Sequence, residues 1–250
     1  MRKISIFTFI TLLTFFLSAQ TREGDSKFGI VAGVNAAYLV GDDAEDWIED
    51  FEDDIDDLDD QNGLDAEGGI KPRIGVHFGF SYDYFIADNI ALSSGLVYSM
   101  KGFTLNQKLD GTVNSGGYPY YYSNNYDQEL DAAIQLNYID LPIVVKYATD
   151  EGFELSAGLL ISLLASDKVD FDYDDANSSY DYYDDFDDYE DAFGEDPEGT
   201  VMGLQFGIGY TFNEKFNISL KLQQGGEFGE ISDEDENKNR TLQLSTALYF

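Results

Sequence analysis

The sequence predicts an all-β protein, an eight-stranded antiparallel up-and-down transmembrane β-barrel with long extracellular loops. Three observations predict it. Eight stretches alternate apolar residues with small or polar ones at a period of two, the strand period. The connections between them alternate short and long. Beyond the first twenty residues no stretch is apolar for the ~20 residues that a spanning helix needs. Membrane passage would then require a closed barrel, since only helices and barrels satisfy every backbone polar group in lipid.

Met1 to Gln20 reads as an export signal: Arg2 and Lys3 are the charged start, Ile6 to Leu17 the apolar core, and Ser18-Ala19 the small cleavage residues. The expected division is a signal peptide over 1–19 and a barrel domain over 20–250. A membrane anchor is the competing reading, and the apolar run is short for it.

The first strand spans Lys27–Leu39, with Phe28, Ile30, Val34 and Tyr38 against Gly29, Gly33 and Asn35. Ile70–Tyr84 is the cleanest, with Ile74, Val76, Phe78, Phe80, Tyr82 and Tyr84 against Gly75, His77, Gly79, Ser81 and Asp83. Ile90–Lys101 sets Leu92, Leu96 and Tyr98 against Ser93, Gly95, Ser99 and Lys101. Leu136–Tyr147 sets Ile139, Leu141, Ile143, Val145 and Tyr147 against Asp140, Pro142, Val144 and Lys146. The last four are Phe153–Leu164, Thr200–Phe212, Lys215–Gln223 and Arg240–Phe250. The mixed faces carry Gly, Ser and Gln with a few charges of both signs, as a crowded lumen requires. Eight strands enclose a space that side chains fill, so a plugged cylinder is expected. Tyrosine and phenylalanine gather near strand ends, where membrane interfaces place them.

The links 85–89, 148–152 and 213–214 are short, and 40–69, 102–135, 165–199 and 224–239 are long. Segregating short turns to one rim and long loops to the other is the outer-membrane pattern. It puts the long loops outside the cell and both termini in the periplasm. The strands are expected to run past the lipid band into the second and third long loops.

The formal charge is −35, yet 30 of the 49 acids sit in 42–67 and 167–198, inside the acidic loops of about 40–69 and 165–199. The rest is an ordinary alternating β sequence. Such a charge excludes nucleic-acid binding, which needs basic patches. With no cysteine there is no disulfide framework and no thiolate metal site.

LSSGLVYSMKG (Leu92–Gly102), LNYIDLPIVVKY (Leu136–Tyr147), ELSAGLLISLL (Glu154–Leu164) and the terminal Phe250 resemble the PorT-like outer-membrane β-barrel family of Bacteroidota, whose architecture is that of the OmpX and OmpA barrels. The resemblance runs from about Lys27 and leaves out the acidic loop interiors. Its most specific parts are the spacing of Tyr138 and Pro142 and the exit from Tyr98 to Gly102. It implies a fold and an outer-membrane location and no reaction. The final strand also resembles the signal read by the barrel-insertion machinery, which makes Leu244, Leu248 and Phe250 assembly determinants.

Five groups of residues invite a functional reading. Ala44, Trp47, Ile48, Phe51, Ile55 and Leu58 recur at spacings of three and four among acids, which predicts an amphipathic helix that docks conditionally on the rim or on a partner. Like charges four apart oppose it by about 0.2–0.5 kcal/mol per pair; the alternative is an acidic loop with incidental apolar residues. Asp170, Asp172 and Asp174 have alternate spacing and oxygen ligands, which suit weakly bound calcium. Asp57 and Asp59 share the spacing, but Asn62 stands where the calcium-loop consensus has glycine. A solvated anionic surface is the simpler account. Tyr118–Tyr126 and Tyr173–Tyr189 offer tyrosines to an extracellular protein or glycan, or are loop filler. His77, with Ser81 and Arg73 on its face, could belong to a lipid hydrolase, but both partners point into a packed lumen and nucleophilic catalysis needs an open, oriented pair. Arg73, Asp140, Lys146, Glu154 and Lys221 are read as a lumenal ion-pair network, since buried charge persists only when paired.

The expected function is non-enzymatic: a surface, structural or adhesion-like outer-membrane protein acting through its acidic, tyrosine-rich loops. No cofactor is expected beyond that calcium. The expected partners are outer-membrane lipid and, during assembly, the insertion machinery. The alternatives are a small-solute channel, a lipid-modifying enzyme and a secreted barrel with its faces reversed.

Overall fold

The computed structural model describes residues 23–59, 64–115, 122–175, 199–227 and 238–250. The expected signal peptide over 1–19, Tyr118, Tyr120 and Tyr121 of the first tyrosine stretch (Tyr118–Tyr126) and Tyr180 onward of the second (Tyr173–Tyr189) lie outside them. Eight strands close into a ring in chain order, each antiparallel to its neighbours. They are β1 (Ser26–Val40), β2 (Leu64–Ala87), β3 (Ile90–Ser115), β4 (Tyr122–Ala148), β5 (Phe153–Asp175), β6 (Thr200–Phe212), β7 (Phe216–Glu227) and β8 (Lys238–Tyr249), with one helix, α1 (Asp42–Asp59), after β1. The ring shuts where β8 meets β1, from Gly29 opposite Tyr249 to Val40 opposite Lys238. Phe250 adds one more bond at that seam, its N–H donating to the Phe28 carbonyl at 2.8 Å.

Side chains sort by strand parity. On β2, Ile74, Val76, Phe78, Phe80, Tyr82 and Tyr84 are exposed outward, while His77 and Asp83 are buried inside. Ile74 to Tyr84 is eleven residues, and at ~3.4 Å per residue with a tilt of ~40° it spans roughly 28 Å, close to the ~25 Å apolar band of such barrels. On β4, Ile143, Val145 and Tyr147 face outward, and Asp140, Val144 and Lys146 are buried. The two faces of Leu136–Tyr147 are therefore apolar toward lipid and mixed toward the lumen.

The strands are longer than their alternation announced. β2 begins at Leu64, inside the stretch read as a first loop, and β3 and β4 pair out to Ser115 and Tyr122. β5 runs to Asp175. Much of the first three long connections is a four-stranded sheet that continues β2 to β5 past the barrel, as expected for the second and third and not for the first, with α1 packed on it. Irregularities mark where the barrel ends and this extension begins: between Pro72 and His77 on β2, at Gly102 with φ 119° on β3, and between Asn137 and Tyr138 opposite β5. Gly102 has no alternative, because a Cβ there would sit 1.9 Å from the Ile134 carbonyl oxygen.

On the other rim the turns are short. Asn213 and Glu214 link β6 to β7 with φ of 48° and 59°, and the Lys215 N–H donates to the Phe212 carbonyl at 3.1 Å. This is the double left-handed geometry of a type I′ hairpin turn, which Asn and Gly adopt readily and Glu does not. Glu214→Gly is expected to stabilise the barrel by about 1 kcal/mol, read as a higher denaturation midpoint in detergent.

Candidate functional site

Two regions hold concentrated chemistry, the lumen and the extension above it. Inside the barrel the charges pair across strands. Lys146 Nζ lies 2.6 Å from Asp83 Oδ2, 3.6 Å from Glu154 Oε2 and 3.0 Å from the Tyr249 hydroxyl. It also sits over the Tyr249 ring, 5.2 Å from its centre, which adds a cation–π attraction. Ser93 donates to Asp83, while Thr211 and Asn217 donate to Glu154. One storey up, Lys101 Nζ lies 2.9 Å from both Asp140 oxygens, and Ser162 donates to the same carboxylate at 2.6 Å. Lys101 covers the Tyr138 ring at 5.2 Å.

Between these two clusters runs a neutral layer. His77 Nδ1 is 2.6 Å from Asn35 Oδ1 and His77 Nε2 is 2.8 Å from Ser245 Oγ. Asn35 Nδ2 also donates to Ser99 and to the Met100 carbonyl, each at 3.0 Å. Gln223 donates to Gln205 and Gln243 at 3.0 and 3.2 Å, and Gln243 donates on to Ser99. Glycines leave space for the larger partners. A Cβ on Gly33 would come within 2.6 Å of the His77 ring, and one on Gly29 within 2.9 Å of the Tyr249 ring.

Ser245, His77 and Asn35 thus stand in the order of a nucleophile, a base and an orienting amide. Ser81, the serine that sequence pairs with His77, has a buried hydroxyl without a hydrogen-bond partner. All three members of the Ser245 chain are 2% exposed or less. The adjoining lumenal cavity is about 60 Å³, room for a few waters at ~10–15 Å³ each and not for an ester. An amide beside the imidazole also supplies no charge to stabilise an imidazolium. The chain ties β1, β2, β3 and β8 together.

Of the charges assigned from sequence to the lumenal network, Asp140, Lys146 and Glu154 enter the clusters, with Lys101 and Asp83 as partners that the sequence places on mixed strand faces but not in that network. Both lie on inward positions of their strands, so parity alone could have found them. Arg73 sits apart: it donates at 2.9 Å to the Lys101 carbonyl and to Gln135 Oε1, and Gln135 donates on to Asp170. Lys221 lines the lumenal cavity with Lys146 and Glu154, and no carboxylate lies within 4.0 Å of it among the described residues. Leu244 and Leu248 face outward on β8.

The extension reverses the sidedness of the barrel. Its inner face is apolar: Phe103, Ile134, Leu136 and Tyr138 are buried together with Leu39 and Val201, and Ile70, Leu164 and Val169 pack against them. This cluster stoppers the lumen above Lys101. Its outer face is acidic. The register sets Asp110 between Asp65 and Asp127, Lys108 between Glu67 and Glu129, and Asp131 between Asn106 and Asp172. Like charges directly opposite one another destabilise a sheet, so this face depends on counter-ions. Asp170, Asp172 and Asp174 are successive same-face positions of one strand, ~6.8 Å apart. Calcium oxygens crowd within ~2.3–2.6 Å of the ion, much closer than that spacing of backbone positions. Asp170 is moreover bound to Gln135 and Lys168. Among the described residues no three such side chains lie close enough to hold a metal ion.

The sequence matches the family described as outer membrane protein beta-barrel domain over residues 18–225. The chain belongs to that family. Membership agrees with the closed ring of eight strands and places the chain in the outer membrane. No curated protein sequence matches it. Similar solved structures include Neisserial surface protein A at 11% identity, covering 89% of this chain and 97% of that one with a TM-score of 0.38. OprG from Pseudomonas aeruginosa is 14% identical, covering 92% and 97% with a TM-score of 0.32. Ail of Yersinia pestis is 10% identical, covering 91% and 99% with a TM-score of 0.33. Likenesses this distant transfer no ligand or role to this barrel.

Removing one member of a buried pair strands the other. Lys146→Met and Asp140→Leu are each expected to cost about 3–5 kcal/mol in reversible urea unfolding from lipid vesicles. The double variant Lys101→Met/Asp140→Leu should recover most of that loss, and Ile143→Leu on the lipid face should cost under about 1.5 kcal/mol.

Proposed function

We propose that this barrel is a non-enzymatic outer-membrane surface protein that works through its extension and α1, with a lumen that conducts nothing. The observation that carries the proposal is the lumen itself, filled by two charge clusters, an amide and histidine layer and an apolar stopper. The short turns and long connections support an orientation with both termini in the periplasm and the extension outside the cell. The narrower PorT-like membership belongs to the same proposal and rests on the motif around Tyr138 and Pro142. So do the export signal over 1–19 and assembly through Leu244, Leu248 and Phe250. The partner that suits a negatively charged, outward-facing sheet is an extracellular protein or glycan presenting positive charge or bound cations.

Purified protein in planar bilayers decides between this reading and a small-solute channel. The expected record shows no conductance steps, and steady unitary steps that disappear when Lys146 or Lys101 is changed would overturn the sealed lumen. In the same preparation no fatty acid should be released from phospholipid. Release that is lost in both His77→Ala and Ser245→Ala would instead make the buried chain catalytic.

Calcium is proposed as a diffuse counter-ion of the acidic face, not as a coordinated cofactor at Asp170, Asp172 and Asp174. Calcium should slow proteolysis of 42–67 and 167–198, and Asp172→Asn alone should leave that protection nearly intact. Identical digestion with calcium and with chelator would remove any role for it.

A further inference from the structure

α1 holds twelve carboxylates and no base in 18 residues. Along it Asp42/Asp46, Glu45/Glu49, Asp46/Asp50, Glu49/Asp53, Asp50/Asp54, Glu52/Asp56 and Asp53/Asp57 are like-charge pairs four apart, each of which opposes the helix. Asp56, Asp57 and Asp59 also stand at the C-terminal end, where the helix dipole disfavours anions. Asp is a weak helix former as well. Local energetics therefore argue against this helix, and its stability has to come from where it sits.

The seat is small and specific. Ile55 is 5% exposed and fits against Gly68 on the inner face of β2. A Cβ at position 68 would lie 3.0 Å from both the Cγ1 and the Cδ1 of Ile55. The Ala66 N–H donates to Asp59 Oδ1 at 3.0 Å, which ties the end of α1 to the start of β2. Ile48, Phe51 and Leu58, on the same helical stripe, are only half-buried. Among the described residues, one buried side chain and one hydrogen bond to β2 thus hold a segment whose charges repel each other and also repel Asp65 and Glu67 of β2. The nearest bases of the sheet, Lys71 and Lys108, are on its outer face, in line with Asp170 and between Glu67 and Glu129.

We propose that α1 is an ion-responsive cover at the mouth of the barrel, docked through Ile55 on Gly68 when its carboxylates are screened and released when they are not. Eighteen residues at ~1.5 Å make a helix about 27 Å long. At about 0.01 M salt the screening length of ~30 Å spans all of it, and every carboxylate feels every other. At about 1 M the ~3 Å screening length is shorter than the spacing of neighbours on the helix, and the apolar seat prevails. Release would uncover the inner face of β2 at Ala66 and Gly68.

The chain has no cysteine, so Ala66→Cys, at a small buried position of β2 that release would uncover, introduces a single thiol in the full-length protein and leaves Ile55 in place. Its labelling rate with an uncharged maleimide, divided by that of the exposed Glu45→Cys, measures release. Seven opposed pairs predict that this ratio falls by about tenfold or more between 0.01 M and 1 M sodium chloride. The added changes Glu49→Gln, Asp53→Gln and Asp56→Gln should remove most of the salt dependence, and Gly68→Val should give fast labelling at both salts. A thiol ratio that ignores salt overturns the proposal. So does a salt response that survives neutralisation unchanged, since that response would not come from the carboxylates of α1.

Discussion

An ammonium group at the centre of an eight-stranded barrel has no bulk water to turn to, and Lys146 is held by the groups the barrel itself brings to it. Asp83 comes from β2, Glu154 from β5 and Tyr249 from β8, so one side chain of β4 is bound from three directions. Desolvating these charges is costly, and only dense pairing offsets the cost. The consequence is a lumen in which position, spacing and register are over-determined. Lys101 with Asp140, and Asn35 with His77 and Ser245, repeat the arrangement at successive heights. Small residues such as Gly29 and Gly33 are where they are because these larger groups need the room.

The same logic sets the shape of the protein above the membrane. Within the lipid band the strand faces are apolar outside and polar inside. Past the irregularities near Pro72, Gly102 and Tyr138 they become acidic outside and apolar inside. Solvent explains both arrangements. Lipid rewards an outward Phe78 or Leu96, and water rewards an outward Asp131 or Glu129. The place where outward character changes, between Ile74 and Lys71 on β2, is where the surroundings change from hydrocarbon to water. A barrel whose interior is solid can serve as a stalk for such a sheet without becoming a hole in the membrane.

α1 is the element least favoured by its own sequence and most dependent on context. Its acids gain nothing from one another, and the part that fits is a single isoleucine resting on a glycine. That imbalance separates it from the strands of the barrel, each of which is hydrogen-bonded to a neighbour on both sides. An outward face this rich in carboxylates set opposite one another also makes the ionic medium matter to the structure, since salt screens the repulsion among Asp65, Asp110 and Asp127.

The sequence by itself determined the strand count, the ring, the sidedness of the lipid band and the acidic helix. Those features are written as local periodicity, and a period of two or of 3.6 is set by backbone geometry before any tertiary contact forms. It also placed Asp140, Lys146 and Glu154 inside, because parity fixes the face. What only the tertiary structure decided is which charges meet. Lys146 finds Asp83 across 63 positions of chain and Lys101 finds Asp140 across 39, and such partners depend on shear and register around a closed ring. Ser245 in place of Ser81 beside His77 is the same lesson across 168 positions. The extension is legible only in part, as strands running on into the second and third long connections, and the start of β2 at Leu64 is not. Its strands are rich in Asp, Asn and Gly, which single-strand propensity disfavours, and they persist because each pairs with neighbours already aligned by the barrel below.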